Sequence, residues 1–230
     1  MVFVICIGFH YRERLPALID ITAAHPLLTQ ARGRRSLVIS DLDPRDRCAV
    51  AALASHDASD SSLCDRAAAL PNYHMFRTSQ QLLDTLGAAA GAHVVLYYSG
   101  HNDASGMILP NGETLAWSRV MEALRCRSFV GVFDCCRAPR LRLPFSWRGA
   151  GWHCDENVAA EYRSELVLLI CNTGETEDSF SSSIGSPFTL QLIAWLSGSI
   201  RNFAELTRLC PTARIYSSLP AAPSWDSVVR

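Results

Sequence analysis

Five short apolar runs, none containing an acid or an arginine, limit the folds open to this chain more than any other feature. They cover residues 2–7 (VFVICI), 37–39 (LVI), 93–98 (HVVLYY), 129–133 (FVGVF) and 166–171 (LVLLIC). Continuous rather than alternating apolar character marks strands that are covered on both faces. Helical spacing fills the gaps, at residues 19–30, 79–86, 115–124, 188–196 and 203–209. A sixth run, 213–219 (ARIYSSL), reads as a short last strand. Strands alternating with helices in this way predict an α/β three-layer sandwich: a mostly parallel six-stranded sheet with helices on both faces. In such sheets the chemistry gathers outside the carboxyl ends of the strands.

Composition agrees with one globular domain over residues 1–230. Hydrophobic residues make up 49% and charged residues 19%, enough to bury a core without disulfides or metals. A net charge of -1 offers no electrostatic basis for binding nucleic acid or an anionic membrane. No run approaches the roughly 18 apolar residues of a membrane-spanning helix. The opening MVFVICIG lacks the basic flank and cleavage site of a leader, and reads as a first strand. Nine cysteines, an odd number without repeating spacing, argue against a secreted disulfide framework. A reducing, cytoplasmic setting is expected. Residues 44–77 read as an inserted helical excursion and residues 137–163 as a long loop.

Two strand ends carry reactive side chains. The run VVLYYSGHND delivers His101 just after Ser99 and Gly100, and FVGVFDCCRA delivers Cys136 two residues after Asp134. If these strands are parallel neighbours, an imidazole and a thiol leave the sheet side by side, which is the arrangement that thiol catalysis needs. A lone buried cysteine is as a rule an inert small hydrophobe, and a lone histidine after a strand is more often structural. The two together, each at a strand end with small neighbours, favour catalysis. Zinc binding through Cys135, Cys136, His153 and Cys154 is the competing chemistry. Adjacent strand residues face opposite ways, and the two-residue separation of a zinc knuckle is missing.

YYSGHND and DCCRA resemble the histidine and cysteine motifs of the caspase-like cysteine peptidases, the clan of caspases, metacaspases and paracaspases. FVICIGFHYRERLPALIDITAAHPLL, with its Tyr11–Arg12–Glu13 run, resembles the first strand, loop and helix of the paracaspase domain. LLICNTGETEDSF followed by SPFTLQLIAWL resembles a later strand and helix of the clan, and ARIYSSL its last strand. The resemblance implies the caspase-hemoglobinase type of fold and a cysteine endopeptidase with Cys136 as nucleophile, His101 as its partner and Cys135 facing the sheet interior. It places the oxyanion hole at the backbone N–H groups of Cys136 and Asn102, where paracaspases and metacaspases usually carry glycine in the position of Asn102.

Substrate preference follows from three acids. Asp134 is close enough to the nucleophile to line the pocket for the side chain preceding the cut bond. By resemblance, Asp20 of the first helix and Asp178 of the loop after the fifth strand join it. Carboxylates converging on one slot favour arginine, whose fork they match bidentately. Each acid alone could be a solvated charge; Asp134, at the end of a buried strand, needs partners. Protein or peptide substrates with a basic residue before the cut are therefore expected, with no cofactor. The clan's calcium-dependent members are not matched, because the acids lack calcium-loop spacing. Arg137, Arg140, Arg142, Arg148 and Arg163 make self-cleavage within 137–163 conceivable, against the plainer reading of solvated loop charges. Residues 213–219, as a sheet-edge strand, are the expected surface for a homodimer. The alternative function is a catalytically impaired pseudopeptidase acting as a decoy or interaction module. A zinc-stabilised interaction module is the third reading.

Overall fold

The computed structural model describes residues 1–11, 15–30, 33–46, 48–50, 61–103, 105–137, 139, 141, 143–148, 151–159, 166–173, 185–199, 201–219 and 225. Among them one sheet of nine strands runs through the molecule. In chain order its members are β1 (Val2–Gly8), β2 (Arg35–Ser40), β3 (Tyr73–Met75), β4 (His93–Ser99), β7 (Ser128–Asp134), β8 (Phe145–Arg148), β9 (Gly151–Cys154), β10 (Leu166–Cys171) and β11 (Arg214–Ser217). β5 (Met107–Ile108) and β6 (Thr114–Leu115) form a separate small hairpin. The order across the large sheet is β3-β2-β1-β4-β7-β10-β11-β8-β9. The first six in that order are parallel; β11, β8 and β9 join antiparallel.

The parity of residues along each strand assigns the two faces. Ile5, Ile7, Val94, Leu96, Tyr98, Phe129 and Phe133 turn to one side. There they pack against α3 (Ser79–Leu86) and α4 (Trp117–Leu124) through Leu82, Leu86, Trp117, Val120 and Leu124. Val4, Cys6, Val95, Tyr97, Val130 and Val132 turn to the other. That face is covered by α1 (Ala17–Leu28), α6 (Pro187–Ser197) and α7 (Phe203–Leu209) through Ile21, Ala24, Phe188, Leu192, Trp195, Phe203 and Leu206. The strands are buried on both sides, which is why their sequence is uniformly apolar rather than alternating.

Three strands lie beyond the six that the apolar runs mark. β3 sits at one edge with two of its three residues exposed, so it carries no apolar signature. The other two belong to the segment read as a long loop. Phe145–Arg148 and Gly151–Cys154 pair as an antiparallel hairpin, followed by α5 (Glu156–Ala159). Aromatic rings hold the hairpin to α7: Trp147 and Trp152 meet edge-on at 5.5 Å, and their centroids lie 6.1 and 5.8 Å from that of Phe203. Of the arginines weighed as cleavage points, Arg137 and Arg148 are exposed, and Arg140, Arg142 and Arg163 lie outside the described residues.

The hairpin also places the last strand inside the sheet rather than at its edge. β11 is not a sheet edge: β10 pairs along one side, and β8 meets Tyr216 and Ser217 on the other. The outer position is taken by β9. Within the segment 44–77 the described residues include α2 (Ser61–Ala68), whose Leu63, Cys64 and Ala67 pack with Leu18 of α1, and then β3. Among the described residues no helix is long and apolar enough to cross a membrane.

Candidate active site

β4 and β7 are parallel neighbours, with Ser99 opposite Asp134. His101 lies two residues beyond Ser99 and Cys136 two residues beyond Asp134, so both chains leave the sheet at the same level. Parity then separates the doubled cysteine. Cys135 follows Phe133 into the α3–α4 face and is 1% exposed, while Cys136 is half-buried beside His101 at a small cavity. That cavity, about 70 Å³, is lined by Asp20, Ser99, His101, Asp134, Cys136 and Ser186 together with Leu15, Pro16 and Gly100. A larger groove of about 730 Å³ between β8, β11 and α7 is lined by no histidine, cysteine or carboxylate among the described residues.

His101 is held from several sides. Its backbone N–H donates to the hydroxyl of Tyr11 (2.9 Å), which itself donates to the carbonyl of Ile108 (2.7 Å). The hydroxyl of Tyr98 donates to the His101 carbonyl and lies 3.0 Å from that of Tyr11. The Tyr11 ring lies against the imidazole with centroids 4.5 Å apart. Gly100 makes this crowding possible, because a Cβ there would stand 2.8 Å from both tyrosine hydroxyls. Tyr11 is fixed in turn by Asp41 at the end of β2, whose carboxylate accepts from the N–H groups of His10 (2.8 Å) and Tyr11 (3.0 Å) and from the His10 ring (3.1 Å). Burial alone would raise the Asp41 carboxyl, but these bonds outweigh it and hold it below its usual range.

Asn102 is buried and its side chain is fully engaged. Oδ1 accepts from the indole of Trp117 (2.8 Å), and Nδ2 donates to the carbonyls of Asp103 and Arg137. Its φ is not positive, so the backbone here does not demand glycine. Asn102 faces Met107 in an isolated bridge whose two hydrogen bonds use the N–H groups of Asp103 and Ile108. The N–H of Asn102 takes no part in either.

Asp20 and Asp134 meet from opposite elements. Asp134, an even-numbered residue of β7, turns to the α1–α6 face, where Asp20 stands in the first turn of α1. They are 2% and 5% exposed. Asp20 accepts from Ser186 N–H (2.9 Å) and the Ser99 hydroxyl (3.0 Å); Asp134 accepts from Asn172 Nδ2 (3.1 Å) and the Thr189 hydroxyl (2.7 Å). Burial pushes the Asp20 carboxyl up, the charge of Asp134 adds to this, and its hydrogen bonds only partly oppose it, leaving it at about 7. Asp134 is raised too, chiefly by burial. Asp178 lies outside the described residues.

Of the residues expected at the site, the structure thus gathers Cys136, His101, Asp134 and Asp20 around one cavity, with Asn102 next to it. The residues weighed as zinc donors are spread out: Cys135 is in the core, while His153 and Cys154 are exposed on β9. Tyr11 was marked only as part of the resembling Tyr11–Arg12–Glu13 run and given no role, and Tyr98, Asn172, Ser186 and Thr189 were not singled out beforehand. Tyr98 had a local signal, three residues before His101; the others act across long sequence separations that composition does not record.

Known structures share this arrangement of elements. Caspase-1 from Spodoptera frugiperda superposes over 91% of this chain and 74% of its own, with a TM-score of 0.51 and 13% identity. A structural-genomics target protein from Geobacter sulfurreducens superposes over 99% of this chain and 96% of its own, with a TM-score of 0.56 and 14% identity. The fold is caspase-like. No protein-family model matches the sequence, and no curated protein matches it significantly. The likeness therefore lies in the fold, and the activity of this caspase-like chain is argued from its own side chains.

Proposed function

We propose that this chain is a caspase-like cysteine endopeptidase of the paracaspase and metacaspase kind, cleaving after arginine with Cys136 as nucleophile and His101 as acid–base partner. The observation that carries the reading is the convergence of Cys136, His101 and two buried carboxylates on one small cavity. In the reaction, His101 takes the thiol proton of Cys136, the sulfur attacks the carbonyl carbon of the scissile bond, and the carbonyl electron pair moves onto the oxygen. The N–H groups of Asn102 and Cys136 receive that charge. His101 gives a proton to the departing amine, and then accepts one from the water that releases the acyl group. Asp20 and Asp134 take the arginine guanidinium, and an acidic side chain is repelled.

The test is hydrolysis of an arginyl fluorogenic peptide. The wild type is expected to turn over, and Cys136→Ala to lose about a thousandfold or more of that rate. Equal background signal from both would overturn the enzyme reading and leave the decoy, or pseudopeptidase, alternative.

A further inference from the structure

The acid pair has a feature that binding alone does not require. Neither carboxylate forms an ion pair with a described residue, and each of the four oxygens accepts a hydrogen bond from a neutral donor among the described residues. The titratable groups around the pair are few among the described residues. Tyr97 of β4 reaches it through the Thr189 hydroxyl (2.6 Å), Cys6 of β1 lies behind Tyr97, and His101 and Cys136 line the same cavity. The Ser186 hydroxyl is buried at the cavity wall, makes no hydrogen bond of good geometry, and stands close enough to Asp134 to lower its carboxyl against the effect of burial.

Two buried carboxylates in one cavity, with no cation from a described residue beside them, repel, so the pair retains a proton when no ligand is bound. A guanidinium changes that balance. Its donors require ionised oxygens on both acids, and its charge stabilises both. We propose that Asp20 and Asp134 hold one proton between them in the free protein, and that an arginine side chain entering the cavity expels it, coupling recognition to proton release. The exchange balances: one carboxylic acid becomes a carboxylate, the guanidinium takes the place of the proton, and the proton passes to buffer. This rests on the reading of the cavity as an arginine pocket and states how that pocket is regulated by pH. The Ser186 hydroxyl, at the cavity wall beside Asp134, is placed to complete the oxygen lining around the incoming group.

Calorimetry of Nα-acetyl-arginine amide binding to the Cys136→Ala protein, in two buffers of different ionisation enthalpy, tests the inference. About one proton should be released per ligand near pH 5.5, falling towards none near pH 8.5, with affinity rising about tenfold per pH unit on the acid side. Asp20→Asn and Asp134→Asn should each abolish most of the release; Asn keeps the shape and one acceptor at either site. Binding without proton release at every pH, or release undiminished in both variants, overturns the inference and leaves the arginine pocket standing. No binding of the ligand at any pH overturns the arginine pocket, and this inference with it.

Discussion

Nδ2 of Asn102, one residue past His101, donates a hydrogen bond to the backbone carbonyl of Arg137, one residue past Cys136. The departure from glycine thus ties the two loops of the proposed dyad together. It does so where the tie is needed, since Arg137 has a φ of 52°, in the left-handed region that most side chains avoid. Trp117 completes the strut by donating to the other end of the amide.

Replacing Asn102 with alanine should therefore damage both stability and rate. The indole N–H of Trp117 would be left buried without an acceptor, at a cost of about 1–3 kcal/mol. The loop after Cys136 would lose its tether, and kcat should fall about tenfold with KM little changed. Thermal unfolding and steady-state kinetics of Asn102→Ala check this. Unchanged kcat in a folded variant would show that the strut is not needed for turnover.

Tyr11→Phe removes the hydroxyl that accepts from His101 N–H and bonds Ile108, while keeping the ring against the imidazole. The expected result is a folded protein with kcat lowered about tenfold, the scale of losing one or two positioning hydrogen bonds. Circular dichroism with kinetics tells this from general unfolding.

Asp134→Asn should preserve the bond from Thr189 and the fold, but remove one of the charges offered to the guanidinium. Leaving that group with a broken buried pair costs about 3 kcal/mol, or roughly a hundredfold in kcat/KM for arginyl substrates. Wild-type kinetics in this variant would contradict the pocket assignment.

The pH dependence of stability follows with a definite sign. The folded-state pKa of Asp20 is raised, to about 7, above its ordinary unfolded value. Between those two pKa values the folded protein binds more protons than the unfolded chain, so this group contributes a loss of stability as pH rises. Asp20→Asn should accordingly gain stability relative to the wild type on going from about pH 5 to about pH 8. Denaturant melts of both proteins at each pH provide the comparison; a relative loss would contradict the raised carboxyl.

What could be read from the sequence was whatever burial imposes locally. The five central strands are sandwiched between helices and must be apolar throughout, so their positions and the two reactive strand ends stand out. β3 and the β8–β9 hairpin escaped because strands at and beside the sheet margins keep polar, partly exposed residues. In Phe145–Cys154 the useful signal was Trp147 and Trp152, which face each other across the hairpin and both pack on Phe203. The parity that sends Asp134 towards Asp20 and Cys135 away from Cys136 follows from the strand alone. The donors that satisfy those acids, Asn172, Ser186 and Thr189, come from α6 and the end of β10. They depend on tertiary contact, to which no local pattern points.

The central claim, that Cys136 attacks substrates presented by an arginine in the Asp20–Asp134 cavity, is most directly tested by covalent labelling. The protein is treated with arginyl and aspartyl chloromethyl ketone peptides and the adducts are mapped by mass spectrometry. The account predicts rapid modification at Cys136 by the arginyl reagent, little by the aspartyl reagent, and loss of the preference in Asp134→Asn. Equal labelling by both reagents, or an adduct on another cysteine in place of Cys136, would contradict it.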